Sequence, residues 1–178
     1  MSDTIILRAL TMDDAKISWK WRNDPEMLEF HSGHPFPVSY EIEKNWYEKS
    51  IYSNIPTSVF GIETTETKKL IGMTLLKKIN LVNRESEFAI FIGDKEERGK
   101  GHAKEATLKT LAFAFYNLGL NRVFLMVTDD NLPAIKLYEK CSFIKEGILR
   151  KSIFKNNTFK DQIVMSILAE EFKEKQTS

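Results

Sequence analysis

EFAIFIGDKEERGKGHAKEATLKTLAFAFYNLGLNRVFLMVTDDNLPAIKLYEKCSF, residues 87–143, organises the rest of the chain. EFAIFIG (87–93) reads as a strand, and the loop Asp94–Lys100 carries it into a long helix from about Gly101 to Leu118. In that helix Leu108, Leu111, Phe115 and Leu118 recur at helical spacing, with Lys104, Glu105 and Lys109 on the exposed side. Gly119 fits the left-handed residue that closes such a helix. RVFLMVT (122–128) is nearly all apolar, the pattern of a central strand covered on both faces. Asn131–Lys140 follows as a second helix.

The loop RGKGHA (98–103) carries the first chemical signal. Gly99 and Gly101 leave room for close backbone approach, and the free N–H groups of the first helical turn point into the loop. Such a cradle at the positive end of a helix dipole suits a pyrophosphate, with Arg98 and Lys100 adding charge; a tight turn alone is the plainer reading. Two familiar phosphate motifs do not fit. A Walker loop needs Lys followed by Ser or Thr, and here Lys100 is followed by Gly101. The dinucleotide fingerprint needs a third glycine where Lys104 stands.

Working outward, Ile5–Leu10 reads as a strand and Thr11 as the N-cap of a helix running to about Asn23, with Asp13 and Asp14 in its first turn. Asp24-Pro25 ends it. Tyr40–Lys49 forms a second helix. Residues 57–63, 70–78 and 85–93 read as consecutive strands, and 143–150 and 158–168 close the chain as two more. The order β-α-α-β-β-β-α-β-α-β-β is a mixed α/β pattern whose strands begin in series, so a doubly wound sheet is not expected. Without repeats or linkers, a single domain over 1–178 with a core of about 3–170 is the economical reading, with Lys173–Ser178 frayed.

Composition sets outer limits. A chain of 178 residues with 42% apolar and 29% charged residues is an ordinary globular one. Its net charge of +1, from 26 basic and 25 acidic residues, argues against nucleic acid or an anionic membrane as partner. No apolar run approaches the roughly 18 residues of a membrane span. The start MSDT resembles neither a secretory signal nor a myristoylation site. A lone Cys141, read as a small core hydrophobe, leaves no disulfide framework or cysteine-rich zinc site, and a cytoplasmic setting is the simplest expectation.

Two spaced motifs then point to a family. RGKGHA matches the acetyl-CoA pattern (Gln/Arg)-x-x-Gly-x-(Gly/Ala), with Arg98, Gly101 and Ala103 in the defined places. About 30 residues on, NLPAIKLYEKCSF resembles Asn-x-x-Ala-x-x-x-Tyr followed by Gly-Phe, filled by Asn131, Ala134 and Tyr138. With the strand RVFLMVT between them, the chain resembles the GNAT superfamily of N-acetyltransferases from Ile6 to about Glu171. WRNDPE (21–26) and TFKDQIVMSIL (158–168) are similar to the branch of ribosomal-protein alanine and spermidine/spermine acetyltransferases. One departure is Ser142 where the family has glycine.

The resemblance implies a GNAT fold: a mixed, mostly antiparallel twisted sheet of about seven strands flanked by about four helices. It implies direct attack of a primary amine on the acetyl thioester of acetyl-CoA in a ternary complex, with no metal. Tyr138 is then the candidate acid toward the leaving thiolate, against a plain reading as a core tyrosine. Glu87 is the candidate base through a water, against a surface charge paired with Lys77 or Arg84. Phe91 and Ile92 are expected to face the pantetheine arm, while Arg98, Gly99, Lys100, Gly101, His102 and Ala103, with Asn131, Ala134 and Tyr138, line the cofactor. Asn131 serves equally as a helix cap. Three acceptors compete: a protein N-terminus, a polyamine and an amino sugar. Glu26, Glu29, Glu41 and Glu43 are the carboxylates in the right region for a polyamine, but HSGHPFP (31–37) replaces the acidic loop of spermidine acetyltransferases; Trp19 and Trp21 are the aromatics for a sugar. His31 and His34 read as loop residues without a third metal ligand. A catalytically silent acetyl-CoA-binding module is the alternative of another class, and edge strands near the C-terminus leave a homo-oligomer open.

Overall fold

A computed structural model describes residues 3–30, 36–52 and 58–176. In chain order its elements are β1 (Ile5–Arg8), α1 (Ala15–Arg22), α2 (Pro25–Phe30), α3 (Tyr40–Tyr52), β2 (Ser58–Thr64), β3 (Leu70–Asn80), β4 (Glu85–Ile92), α4 (His102–Ala112), β5 (Arg122–Thr128), α5 (Leu132–Lys140), β6 (Ile144–Lys155), β7 (Thr158–Leu168) and α6 (Ala169–Gln176). The strands form one sheet in the order β1-β2-β3-β4-β5-β7-β6. Every pairing is antiparallel except that of β4 with β5.

Strand alternation divides the core into two layers. Val59, Met73, Leu75 and Phe91 point to one face, where Leu10, Ala15, Tyr40, Trp46 and Tyr47 from the α1 and α3 side cover them. On the opposite face Leu76 and Phe88 pack with Leu111, Ala114 and Phe115 of the α4 region and Tyr138 of α5. Phe60 meets Phe113 there at 5.0 Å, and the Thr110 hydroxyl donates to Thr74 at 2.9 Å. The turn from β3 into β4 is built by Asn80, whose side-chain oxygen accepts the N–H groups of Val82 and Asn83.

Two helices exceed the expected four. Pro25 does interrupt the first helix, but it also opens the next: its fixed φ suits a first helical position where no N–H is needed. Of the residues expected to fray, 173–176 form the end of α6, and 177–178 lie outside the described residues. Phe172 of that helix is buried 5.4 Å from the Phe115 ring, and Glu171 accepts the Leu168 N–H. At the other end the helix expected from Thr11 starts as a short 3-10 turn over Met12–Asp14. There the Asp14 carboxylate takes both the Thr11 N–H and the Arg8 guanidinium. Past Ala112 the α4 ladder widens into a π-turn through Asn117, with the Leu118 N–H reaching Phe113. No helix among the described residues is long and apolar enough to cross a membrane.

Ser142 adopts the left-handed conformation that glycine would take, with φ 73°. The Phe143 N–H returns to the Tyr138 carbonyl at 3.0 Å and closes a Schellman turn around it. A residue with a Cβ is strained there by roughly 1–2 kcal/mol, partly offset by the larger unfolded-state entropy of glycine. We therefore expect Ser142→Gly to stabilise the fold by about 0.5–1 kcal/mol, read as a higher denaturation midpoint at unchanged m-value. A lower midpoint would show that the serine side chain contributes more than its strain costs.

Candidate active site

The site is organised by a short ladder. β4 and β5 pair only from Glu85 to Glu87, opposite Arg122 to Phe124. Beyond that point β4 stays with β3 to Ile92, while β5 stays with β7 to Thr128. The two parallel strands part, and their C-terminal halves bound a wedge in the sheet.

At the open end of the wedge lies the RGKGHA loop. Gly99 and Gly101 have φ of 77° and 91°, so only glycine sits there without strain. A Cβ built on either would meet nothing within 4 Å, so the outer side of the loop is clear. Among the described residues no protein acceptor reaches the N–H groups of residues 99–103, and Gly101 provides no side-chain cap to α4. A run of free donors at a helix N-terminus fits an anionic pyrophosphate. The flanking side chains turn elsewhere. Arg98 donates to the Ile92 carbonyl at 3.2 Å and pairs with Glu26 at 2.5 Å, and Lys100 pairs with Glu97 at 3.0 Å. His102 is buried, its ring between Glu97 at 3.1 Å and the Thr4 hydroxyl at 3.2 Å. Thus the backbone of the loop, with Ala103 half-buried behind it, faces outward, while the His102 ring ties the loop to the start of β1.

At the closed end, Glu87 is the last residue of the β4–β5 ladder, on the α1/α3 face with Ala89 and Phe91. It is 7% exposed. Lys77, its cross-strand partner, donates to Oε1 at 2.6 Å. Of the two pairings considered for a plain surface charge, the one with Lys77 forms and the one with Arg84 does not: Arg84 donates to the Gly119 carbonyl instead. The second partner is Lys78, with Nζ 2.9 Å from Oε2. Successive strand residues point to opposite faces, but a bulge after Lys77 and a left-handed φ of 51° at Lys78 bring both lysines to one carboxylate. Burial opposes the charged form of Glu87, yet the two ammonium groups outweigh it and hold the carboxyl below its usual range.

Tyr138 approaches from the other face. Its ring packs edge-on against Phe88 at 6.4 Å and Phe143 at 5.7 Å. Burial pushes its phenol up to about 12. The hydroxyl makes no hydrogen bond to any described residue. Asn131, two turns earlier, caps α5 by accepting the Ala134 N–H at 3.2 Å. Cys141 is buried beneath, its thiol pushed up to about 11 by desolvation, as befits a core residue.

The remaining candidates are largely engaged in packing. The Trp19 indole donates to the Val38 carbonyl at 2.6 Å. Trp21 stands edge-on to Phe91 at 6.1 Å and lies over Gly93. Glu43 is buried and accepts the Ser18 hydroxyl, and Glu26 is held by Lys95 and Arg98. Glu41 is exposed, while the side chain of Glu29 and the residues His31 and His34 lie outside the described part. Among the described residues no cluster of three His, Cys, Asp or Glu could hold a metal.

A parallel strand pair that parts beside a cradle of free N–H groups is the architecture of an N-acetyltransferase drawing on acetyl-CoA. Residues 4–144 match the family described as acetyltransferase (GNAT) domain. The spermidine N(1)-acetyltransferase of Vibrio cholerae is 32% identical over 172 residues, covering 97% of both chains. That of Escherichia coli K12 is 28% identical over 169 residues, covering 95% of this chain and 88% of the other. The crystal structure of Vibrio cholerae spermidine N-acetyltransferase in complex with CoA and spermine superposes with a TM-score of 0.89 at 31% identity, over 97% of this chain and 99% of that one. The chain belongs to the GNAT acetyltransferase family and transfers acetyl from acetyl-CoA to an amine. A silent binding module is not favoured, because both of these relatives are enzymes.

Gly93 links the acceptor side to this wedge. A Cβ there would fall 2.0 Å from the Trp21 ring. We expect Gly93→Ala to push Trp21 off the end of β4 and to cost about 1–3 kcal/mol of stability, with a shift in tryptophan emission. Unchanged stability and emission would show that α1 is free to move against the sheet.

Proposed function

We propose that the protein acetylates a polyamine of the spermidine class, with Tyr138 and Glu87 acting from opposite faces of the parted strands. The observation that carries this reading is the recessed carboxylate of Glu87 at the closed end of the wedge, where an ammonium ion is the natural complement. The end-to-end likeness to two bacterial spermidine acetyltransferases supports the choice of acceptor. The carboxylate suits any ammonium, a protein N-terminus included, so the choice among acceptors rests on that likeness, while the tryptophans that would stack on a sugar are occupied in packing.

Acetyl-CoA supplies the acetyl thioester, and the chain's own residues bind and move protons around it. Backbone donors of residues 99–103 would hold the pyrophosphate, and the inner edge of β4 at Phe91 and Ile92 would face the arm. A primary amine near pKa 10 arrives as the ammonium, and freeing it at neutral pH costs roughly 4 kcal/mol. Glu87, ionised throughout the neutral range, is too weak a base to keep that proton. Its part is to hold the ammonium and hand the proton to water. Any rise in rate toward alkaline pH therefore belongs to the amine.

Tyr138 has the opposite problem. A phenol near 12 is a weaker acid than a thiol near 8.5, and complete transfer to the thiolate costs roughly 5 kcal/mol. Its contribution is a hydrogen bond to the sulfur as charge develops, with solvent completing the protonation. Tyr138→Phe keeps the ring between Phe88 and Phe143 and removes only the donor. We expect kcat for spermidine to fall by about 10²–10³ with little change in acetyl-CoA affinity. Near wild-type turnover would remove Tyr138 from the mechanism, and absence of acetylated spermidine with the wild-type protein would remove the polyamine.

The clamp on Glu87 gives a pH test. The working form is the carboxylate, and its lysines keep it charged to a pH below the ordinary carboxylate range. Lys77→Met withdraws one of them, so the carboxyl rises and activity should be lost at a higher pH on the acid side of the kcat/KM profile. An acid limb that does not move would separate Glu87 ionisation from turnover.

A further inference from the structure

The two lysines on Glu87 are not equivalent. Lys77 makes a directed hydrogen bond to Oε1 from a side chain that is 38% exposed. Lys78 is 75% exposed and reaches in from solvent to an oxygen that is otherwise sealed. Its contact is close but misaligned: Oε2 accepts no well-formed hydrogen bond from any donor among the described residues, although Nζ lies 2.9 Å away. Lys78 has no second partner among the described residues. The backbone adopts a left-handed φ and a bulge at this residue, and together they bring a second cation to the last residue of the β4–β5 ladder.

Resting on the polyamine reading above, we propose that the Lys78 ammonium is a place-holder. In the free protein it occupies the position at Glu87 Oε2 that the acceptor's own primary ammonium takes on binding. The two groups are chemically alike, each an R–NH3+ with three donors. An exposed lysine returns to water at little cost, whereas the entering ammonium can align a hydrogen bond with the oxygen that Lys78 leaves without one. Lys77 remains on Oε1 throughout and keeps Glu87 oriented. The displaced cation also sets specificity: a neutral acceptor cannot replace it without leaving the recessed carboxylate short of a partner.

Two variants separate this role from a structural one. Lys78→Met removes the charge at similar length, and Lys78→Gly removes the side chain while accepting the left-handed backbone. Lys68→Met is the control, an exposed lysine with φ 56° in the turn between β2 and β3. Calorimetric titration with spermidine, in the presence of CoA, should show both Lys78 variants binding about fivefold more tightly than wild type, the scale of one exposed ion pair. Lys68→Met should not change affinity. In a Glu87→Gln background, Lys78→Met should have no further effect, because the oxygen both cations seek has lost its charge. Unchanged or weaker binding in both Lys78 variants overturns the proposal, as does an equal gain in the Glu87→Gln background. A wild-type protein that acetylates spermidine while the Lys78 variants bind it as wild type does defeats this inference alone. One that neither binds nor acetylates spermidine defeats the polyamine reading and this inference with it.

Discussion

Everything at the site depends on the three-residue ladder between β4 and β5. Each strand has a full-length partner on its outer side, β3 for β4 and β7 for β5, so neither is lost when the two separate. Outer ladders of that length fix the divergence as a property of the whole sheet. The wedge is thus preformed, and its two ends carry opposite electrostatic character. Free N–H groups and a helix dipole lie at the open end, and a buried carboxylate lies at the closed end. A cofactor with an anionic head and an acceptor that is a cation suit those ends.

The charged residues nearest the site are mostly neutralised by one another. Lys95 and Arg98 share Glu26 and bind α2 to the loop before α4; Lys100 and His102 share Glu97. Surface pairs of this kind add little stability, but they fix where long side chains point. The consequence for the loop is that its outward-facing donors are backbone groups, whose positions are set by two left-handed glycines and not by flexible side chains. Closing the opposite layer, the Phe88, Tyr138 and Phe143 rings place the phenol by packing alone.

Much of this was legible in the chain's pattern. RVFLMVT and TFKDQIVMSIL were bounded correctly because apolar runs and turn residues are local signals, and RGKGHA before a helical repeat located the free N–H cradle. Ser142 closes the helix as the family's glycine does, at the cost of strain. What local pattern missed was decided at a distance. Phe172, just before the stretch read as a polar tail, had no assigned place, yet it packs beside Phe115 within α6. Pro25 ended one helix visibly and began another invisibly, since the same fixed φ serves both. Trp19 and Trp21 could be read either as ligand aromatics or, as helix tryptophans more usually are, as packing residues, and Val38 and Gly93 from other elements decide for packing.

The sequence by itself determined the seven strands and four of the helices in their order, the phosphate-compatible loop and the family, because each rests on spacing within a few turns of chain. Tertiary structure alone decided the charge environment of Glu87. Nothing in LLKKIN announces that Lys77 and Lys78 converge, since alternation sends neighbours to opposite faces. A bulge and one left-handed residue override that rule, and only cross-strand pairing with β4 gives the override its target.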